Sequence, residues 1–166
     1  MKLKTFYFVI FALLLFACRT AKEKEVIHSS SFIKSFHEGV RLKLNYEIDP
    51  AIDKFNLCLK EDPNDDASNY ALAQLYLMKN DLQKAAIHTK LASESDPKNR
   101  HYQTELAFMH QELKEYAQAA EIFDRLSKSN LQNPEFYYGS FENWVKAGNR
   151  DKALQTLTNL EKHLGG

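Results

Sequence analysis

From Phe32 onward, apolar residues recur three and four positions apart, with polar residues between them. Tyr70, Leu72, Ala73, Tyr76 and Leu77 form one such stripe; Ala119, Ile122, Phe123 and Leu126 form another. This spacing gathers the apolar side chains on one face of an α-helix. No stretch alternates convincingly with the period of two that a half-buried strand requires. The stripes predict eight helices, over 32–44, 48–62, 66–79, 82–95, 100–113, 116–130, 134–147 and 150–163. The gaps carry turn chemistry. Glu61-Asp62-Pro63-Asn64-Asp65-Asp66 stops one helix and offers carboxylates to cap the next, and Ser95-Asp96-Pro97-Lys98-Asn99 repeats the device. Asn133 before Pro134 reads as an N-cap followed by proline at the first helical position. Lys79-Asn80-Asp81 and Lys146-Ala147-Gly148-Asn149 supply short turns, so the helices pair as hairpins.

The hairpins repeat. Ala51, Ala85, Ala119 and Ala153 are separated by a constant 34 residues. Leu42, Tyr76, His110 and Trp144 keep the same step, as do Phe55, Thr89, Phe123 and Leu157; Gly39, Ala73 and Ala107; and Pro63 and Pro97. A fixed period of this length marks an array in which each unit buries its apolar face against the next.

These residues resemble the tetratricopeptide repeat. In that family a small residue in the first helix admits the second, a small residue early in the second helix packs between hairpins, and a proline often follows. The unit from Asp66 to Arg100 matches through Leu72-Ala73, Tyr76, Ala85, Ala92 and Pro97. The next matches through Leu106-Ala107, Tyr116, Ala119, Phe123 and Leu126, although Leu131 stands where the proline is expected. The first unit keeps Gly39, Ala51, Phe55 and Pro63 but has Glu38 in place of leucine. The fourth keeps Trp144, Gly148, Ala153 and Leu157, but has Phe141 where a small residue is expected. Its first helix is therefore expected to be shifted or splayed. The fold class implied is all-α, a helical-hairpin repeat solenoid of about four units over residues 32–166.

The resemblance also implies a groove. Such repeats stack into a right-handed superhelix whose concave face is lined by the first helix of each hairpin. On the 34-residue step, Phe36, Tyr70, Thr104 and Tyr138 point into that face, followed by Val40, Gln74, Phe108 and Glu142, then Lys43, Leu77, Gln111 and Val145. Aromatic rings interleaved with amides and charges suit a protein or peptide partner, because rings supply contact area and amides satisfy a bound backbone. The candidate partner-binding residues are Phe36, Lys43, Tyr70, Gln74, Leu77, Phe108, Gln111, Tyr138 and Glu142. The alternative role for the rings is to close gaps between hairpins. Some members of the family clamp a chaperone's C-terminal carboxylate with groove lysine and asparagine residues. Here Phe36 and Val40 occupy the first of those positions, and a carboxylate buried without its cation is costly, so that mode is not expected.

The N-terminus has a different character. Lys2 and Lys4 precede an apolar run from Phe6 to Ala17, 12 residues long, too short for the roughly 20 that a membrane-spanning helix needs. The run closes Leu15-Phe16-Ala17-Cys18, which resembles the bacterial lipobox. Residues 1–17 are thus expected to be a lipoprotein signal peptide and Cys18 the lipidated (palmitoylated) N-terminus. Residues 18–31 would form a tether with a reach of about 20 Å. An ordinary secretory signal is the alternative. Arg19 is not an inner-membrane retention signal of the aspartate type, so the expected location is the bacterial envelope, on the outer membrane facing the periplasm. Cys58 then has no intramolecular partner and sits in an apolar column with Ala92, Leu126 and Leu160, as a small buried hydrophobe does.

Charge narrows the partners. The chain carries 22 basic and 22 acidic side chains. Such a balance argues against nucleic acid, whose binding relies on a basic patch, and leaves membrane attachment to the lipid. No catalytic set is evident. The six histidines are scattered, the five glycines form no phosphate loop, and Glu61, Asp62, Asp65 and Asp66 lack the spacing of a calcium loop. No cofactor or metal is expected. The reading is an envelope lipoprotein that acts as a protein–protein interaction scaffold and is not an enzyme. The alternatives are a self-assembling repeat protein, a homo-oligomer joined through Leu154, Leu157, Leu160 and Leu164, and an envelope hydrolase.

Overall fold

The structure, a computed structural model, describes residues 27–165. The residues expected to form a signal peptide, Cys18 and most of the expected tether lie outside the described residues. Eight α-helices follow one another: α1 (Ser30–Leu44), α2 (Ile48–Glu61), α3 (Asp66–Met78), α4 (Leu82–Ser95), α5 (Arg100–Glu112), α6 (Tyr116–Ser129), α7 (Pro134–Lys146) and α8 (Arg150–Leu164). Each packs chiefly on its sequence neighbours, so the layers are hairpins stacked in order. No strand occurs among the described residues. The fold is a helical-hairpin repeat solenoid of the tetratricopeptide type. No helix among the described residues is long and apolar enough to cross a membrane.

The 34-residue step sets the local chemistry as well as the packing. Asp65, Asn99 and Asn133 all cap first helices, their side chains accepting from Ser68 N, from His101 and Tyr102 N, and from Glu135 N respectively. At the turn inside each hairpin, Tyr46, Asn80, Lys114 and Gly148 adopt positive φ of 61°, 57°, 60° and 75°. The following amides, of Glu47, Asp81, Glu115 and Asn149, donate to the carbonyls of Leu42, Tyr76, His110 and Trp144 at 2.7–2.9 Å. A left-handed residue that lets the next amide close the helix end favours glycine, yet glycine occupies only the fourth of these turns.

Two expectations are revised. Helix α1 begins at Ser30 rather than at residue 32, because Ser29 supplies the cap, its Oγ accepting from Phe32 N at 3.0 Å. Ser29 is itself held by Glu61, which accepts from its amide at 2.9 Å and its hydroxyl at 2.7 Å. The last residues assigned to the tether therefore dock on the first hairpin, and His28 stacks on Phe32 with ring centroids 3.7 Å apart. Nor is the fourth unit's first helix shifted in register: α7 starts and ends 34 residues after α5. Phe141 packs against Ala120, Trp144 and Ala153. The small residue that matters in α7 is Gly139, whose backbone lies so close over Phe123 that an added Cβ would stand 2.9 Å from the ring.

The alanine ladder is buried throughout, and the apolar core gathers in clusters along it. Ala51, Ala85 and Ala119 are 0% exposed and Ala153 3%. Leu42, Ile52, Phe55, Leu72 and Leu75 gather in the first two units; Ala107, Ile122, Phe123, Leu126 and Phe136 gather between the third and fourth. Cys58 is fully buried, and its burial pushes the thiol pKa up. Two sets of buried polar groups are tied into the junctions. The Asp124 carboxylate on α6 accepts from Ser140 Oγ and, at 3.0 Å, from Trp144 Nε1 on α7. Asn69 donates to the Pro63 and Asp65 carbonyls at 3.2 and 3.0 Å, which leaves its oxygen to accept from His88 Nδ1 at 3.0 Å. His88 thus carries its proton on Nδ1, and burial lowers its pKa.

Candidate functional site

The first helices of neighbouring units meet along one surface, and the residues at corresponding steps decide whether it is open. Between α1 and α3, Lys43 Nζ donates to Gln74 Oε1. Partial burial lowers the Lys43 pKa, and the Gln74 amide takes the place of water at the ammonium. Between α3 and α5, Tyr70 Oη and His101 Nε2 share a hydrogen bond of 2.6 Å, and the Tyr70 ring also packs on Tyr102 with centroids 5.1 Å apart. Burial raises the Tyr70 pKa. Phe36 is half-buried, edge-on to Phe55 at 5.6 Å and stacked on Phe32 at 6.2 Å, so it closes the first unit and is not an open groove ring.

Between α5 and α7 the surface opens into a cleft of about 590 Å³. Thr104, Phe108, Gln111 and Glu112 line it from α5; Glu135, Gly139, Glu142 and Lys146 line it from α7; Tyr116 and Phe123 of α6 form its base. The register explains why. Thr104 and Glu135 stand where Tyr70 and His101 stand one unit earlier, and Thr104 is too short to cross; its Oγ donates to Arg100 O of its own helix at 2.8 Å. Gln111 and Glu142 stand where Lys43 and Gln74 stand two units earlier, but Glu142 turns along α7 to Lys146, 2.7 Å away. Lys146 also lies 5.6 Å from the Tyr116 ring, and its bond to Glu142 raises its pKa. Phe108 is 44% exposed and meets Phe123 edge-on at 5.9 Å.

Of the nine candidate residues, Phe108, Gln111 and Glu142 come together in this cleft. Tyr138 is 57% exposed on α7 without lining it, and Leu77 is 36% exposed at its own step. Lys43 and Gln74 hold each other, and Tyr70 is held by His101. Sequence reasoning missed Gly139, Glu135, Glu112 and Tyr116. Gly139 and Glu112 were open to a signal, because each stands next in sequence to a residue already chosen, Tyr138 and Gln111 respectively.

A second cluster gathers at the first repeat junction. His28, Asp62 and Asp65 bring one nitrogen and two carboxylate oxygens within 4.8 Å of one another, with His28 Nε2 3.7 Å from Asp65 Oδ1. Both aspartates also serve the backbone, Asp65 as the cap of α3 and Asp62 as acceptor from Asn64 N at 3.0 Å. The acidic turn expected from sequence is therefore a capping turn, joined by a histidine from the N-terminal lead-in.

Known structures share this architecture. A tetratricopeptide repeat protein from Parabacteroides merdae ATCC 43184 aligns with a TM-score of 0.67 at 18% identity, covering 81% of this chain and 54% of its own. MamA of AMB-1 aligns with a TM-score of 0.65 at 14% identity, covering 80% of this chain and 72% of its own. A chain of the Naa15/Naa10 assembly bound to HypK-THB aligns at 0.72 with 20% identity, covering 82% of this chain but only 20% of its own. At such identities the likeness is one of fold. No family model matches the chain, and no curated protein matches it in sequence.

Proposed function

We propose that the chain is a lipid-anchored scaffold of the bacterial envelope that docks a peptide segment of a partner protein in the cleft between α5 and α7. The observation that carries this reading is the open cleft itself: a solvent-reachable aromatic ring, Phe108, flanked by the Gln111 amide and the Thr104 hydroxyl, on a surface bridged elsewhere by side chains. A concave site with a few polar groups over an apolar base suits a peptide. The fold supports a protein-interaction role, and one similar assembly, Naa15/Naa10, is bound to HypK-THB. A non-enzymatic role is consistent with a sequence that offers no nucleophile, base and orienting group together.

The anchor rests on the N-terminal sequence. Lys2 and Lys4, the apolar run to Ala17 and Cys18 support export and lipidation, and Arg19 supports an outer-membrane address facing the periplasm. Cys18→Ser is expected to move the protein from the membrane to the soluble fraction; retention on membranes refutes the lipid anchor. For docking, the tagged chain and its Phe108→Ser/Glu142→Lys variant are used to capture proteins from envelope extract. A partner held by the first and lost by the second supports the cleft, and equal recovery of every protein refutes it.

Self-assembly keeps one observation in its favour. Leu154 on the terminal helix is 62% exposed, with Leu157, Leu160 and Leu164 half-buried beside it. Light scattering across a concentration series decides the matter: a monomer at every concentration removes this reading.

A further inference from the structure

We infer that the cleft between α5 and α7 selects a partner segment in which an apolar side chain is flanked by lysine or arginine. This rests on the docking reading above and adds the chemistry of what docks. The floor provides the apolar half. Phe108 presents nearly half its surface to solvent, and Gly139 opposite carries no side chain to fill the gap; its backbone lies directly against Phe123. The rim provides the charge. Glu112, Glu135 and Glu142 are all exposed at the cleft, and Lys146 is the one cation among the lining residues. Lys146 is committed to Glu142 at 2.7 Å, whereas Glu112 and Glu135 enter no ion pair among the described residues. Two carboxylates are therefore left to face whatever enters, which attracts a basic segment and repels an acidic one.

Size fixes the scale of the ligand. A cleft of about 590 Å³ takes one large side chain and its neighbours, within the usual range of about 300–1,000 Å³ for small sites, and not a folded domain. The Gln111 amide can donate to and accept from the backbone of such a segment, and the Thr104 hydroxyl, whose proton goes to Arg100 O, can accept from it, whatever its sequence. Specificity is then left to the apolar anchor and to the charge beside it.

The test uses a random peptide library displayed on phage, selected on the full chain held in detergent. Selected peptides are then synthesised with a fluorescent label and titrated. The expected result is enrichment of Lys or Arg next to Phe, Leu or Met. Glu112→Lys/Glu135→Lys should weaken the selected peptide about tenfold, the combined effect of reversing two exposed charges. Binding should also fall as salt rises from about 0.05 to 0.5 M, where screening shortens the Debye length below about 5 Å. Selected peptides that are acidic or show no charge bias, or that bind Glu112→Lys/Glu135→Lys as tightly as the parent, overturn this inference. The docking reading survives that outcome if Phe108→Ser abolishes their capture, with Gln111→Trp, which fills the cleft, replacing it should Phe108→Ser melt early. Capture unaffected by either variant, or no enrichment of any sequence, overturns the docking reading and this inference together.

Discussion

Between α1 and α3 the Lys43 ammonium spans to Gln74, and between α3 and α5 the Tyr70 hydroxyl spans to His101. Between α5 and α7 the same steps hold Gln111 with Glu142 and Thr104 with Glu135, and neither pair closes. Backbone and register are shared by the two halves; side-chain length and alternative partners differ. Thr104 bonds its own helix and Glu142 bonds Lys146. A repeat thus fixes where a groove residue stands, and its neighbours decide whether it faces solvent or another side chain. The N-terminal half is braced, and the C-terminal half keeps an open cleft.

The largest expected effects test whether the two halves share one core. Phe55 and Phe123 occupy the same step two units apart, each beneath a glycine, Gly39 and Gly139 respectively. Replacing either by alanine is expected to cost about 3–5 kcal/mol in urea unfolding. Only Phe123→Ala should also alter peptide binding, because Phe123 forms the base of the cleft. Loss of binding in Phe55→Ala, at temperatures where the chain stays folded, would show that the halves are coupled.

A smaller effect is expected from Asp124→Ala, which strands Trp144 Nε1 at the junction of the third and fourth units and leaves Ser140 Oγ only Thr156 Oγ1, 3.1 Å away, as a partner. Leaving buried donors unpaired costs about 1–3 kcal/mol each, measured as a fall in midpoint of thermal unfolding. The loss should fall on the open half, so hydrogen exchange in α7 and α8 should quicken before exchange in α1 to α4.

The comparison itself can be reversed by transplanting a bridge. Thr104→Tyr with Glu135→His places the Tyr70–His101 pair one unit later. The new hydrogen bond is expected to add about 1 kcal/mol and to block the cleft, so that stability rises slightly while peptide binding is lost. Retained binding in that double variant would mean that the ligand does not lie between α5 and α7.

The smallest effect is one of pH and belongs to the braced half. Burial lowers the pKa of His88 from the ordinary 6.5. The unfolded chain then takes up the proton first as pH falls, so this contribution is intact above about pH 6.5 and fades as pH drops toward the folded-state value. Denaturant midpoints measured from pH 8 to 5 should fall for the parent chain more than for His88→Gln. Parallel curves would mean that His88 is not the group responsible.

Much of this molecule was legible before its structure. Helix boundaries followed from the apolar stripes and the caps at Asp65, Asn99 and Asn133, since both are local and set by helical periodicity. The left-handed turn residues were legible at Gly148 and at Asn80, since glycine and asparagine tolerate positive φ. At Tyr46 and Lys114 the hairpin imposes a conformation that the residue type does not advertise. Phe141 was misleading for a related reason. A small residue was expected where α7 meets its own partner helix, whereas the close approach is to the preceding unit, at Gly139. The docking of His28 and Ser29 onto the first hairpin left no local trace at all, because it depends on Glu61 and Asp65 from beyond the next helix.

Sequence alone therefore determined the period, the hairpins and the buried ladder of alanines. These are consequences of helical geometry acting over at most one repeat length. Which groove residues are spent on bridges was decided by tertiary structure. A bridge needs a side chain on one helix long enough to meet a complementary group on another, with no better partner on its own helix. Lys43 and Tyr70 meet that condition; Thr104 and Glu142 do not.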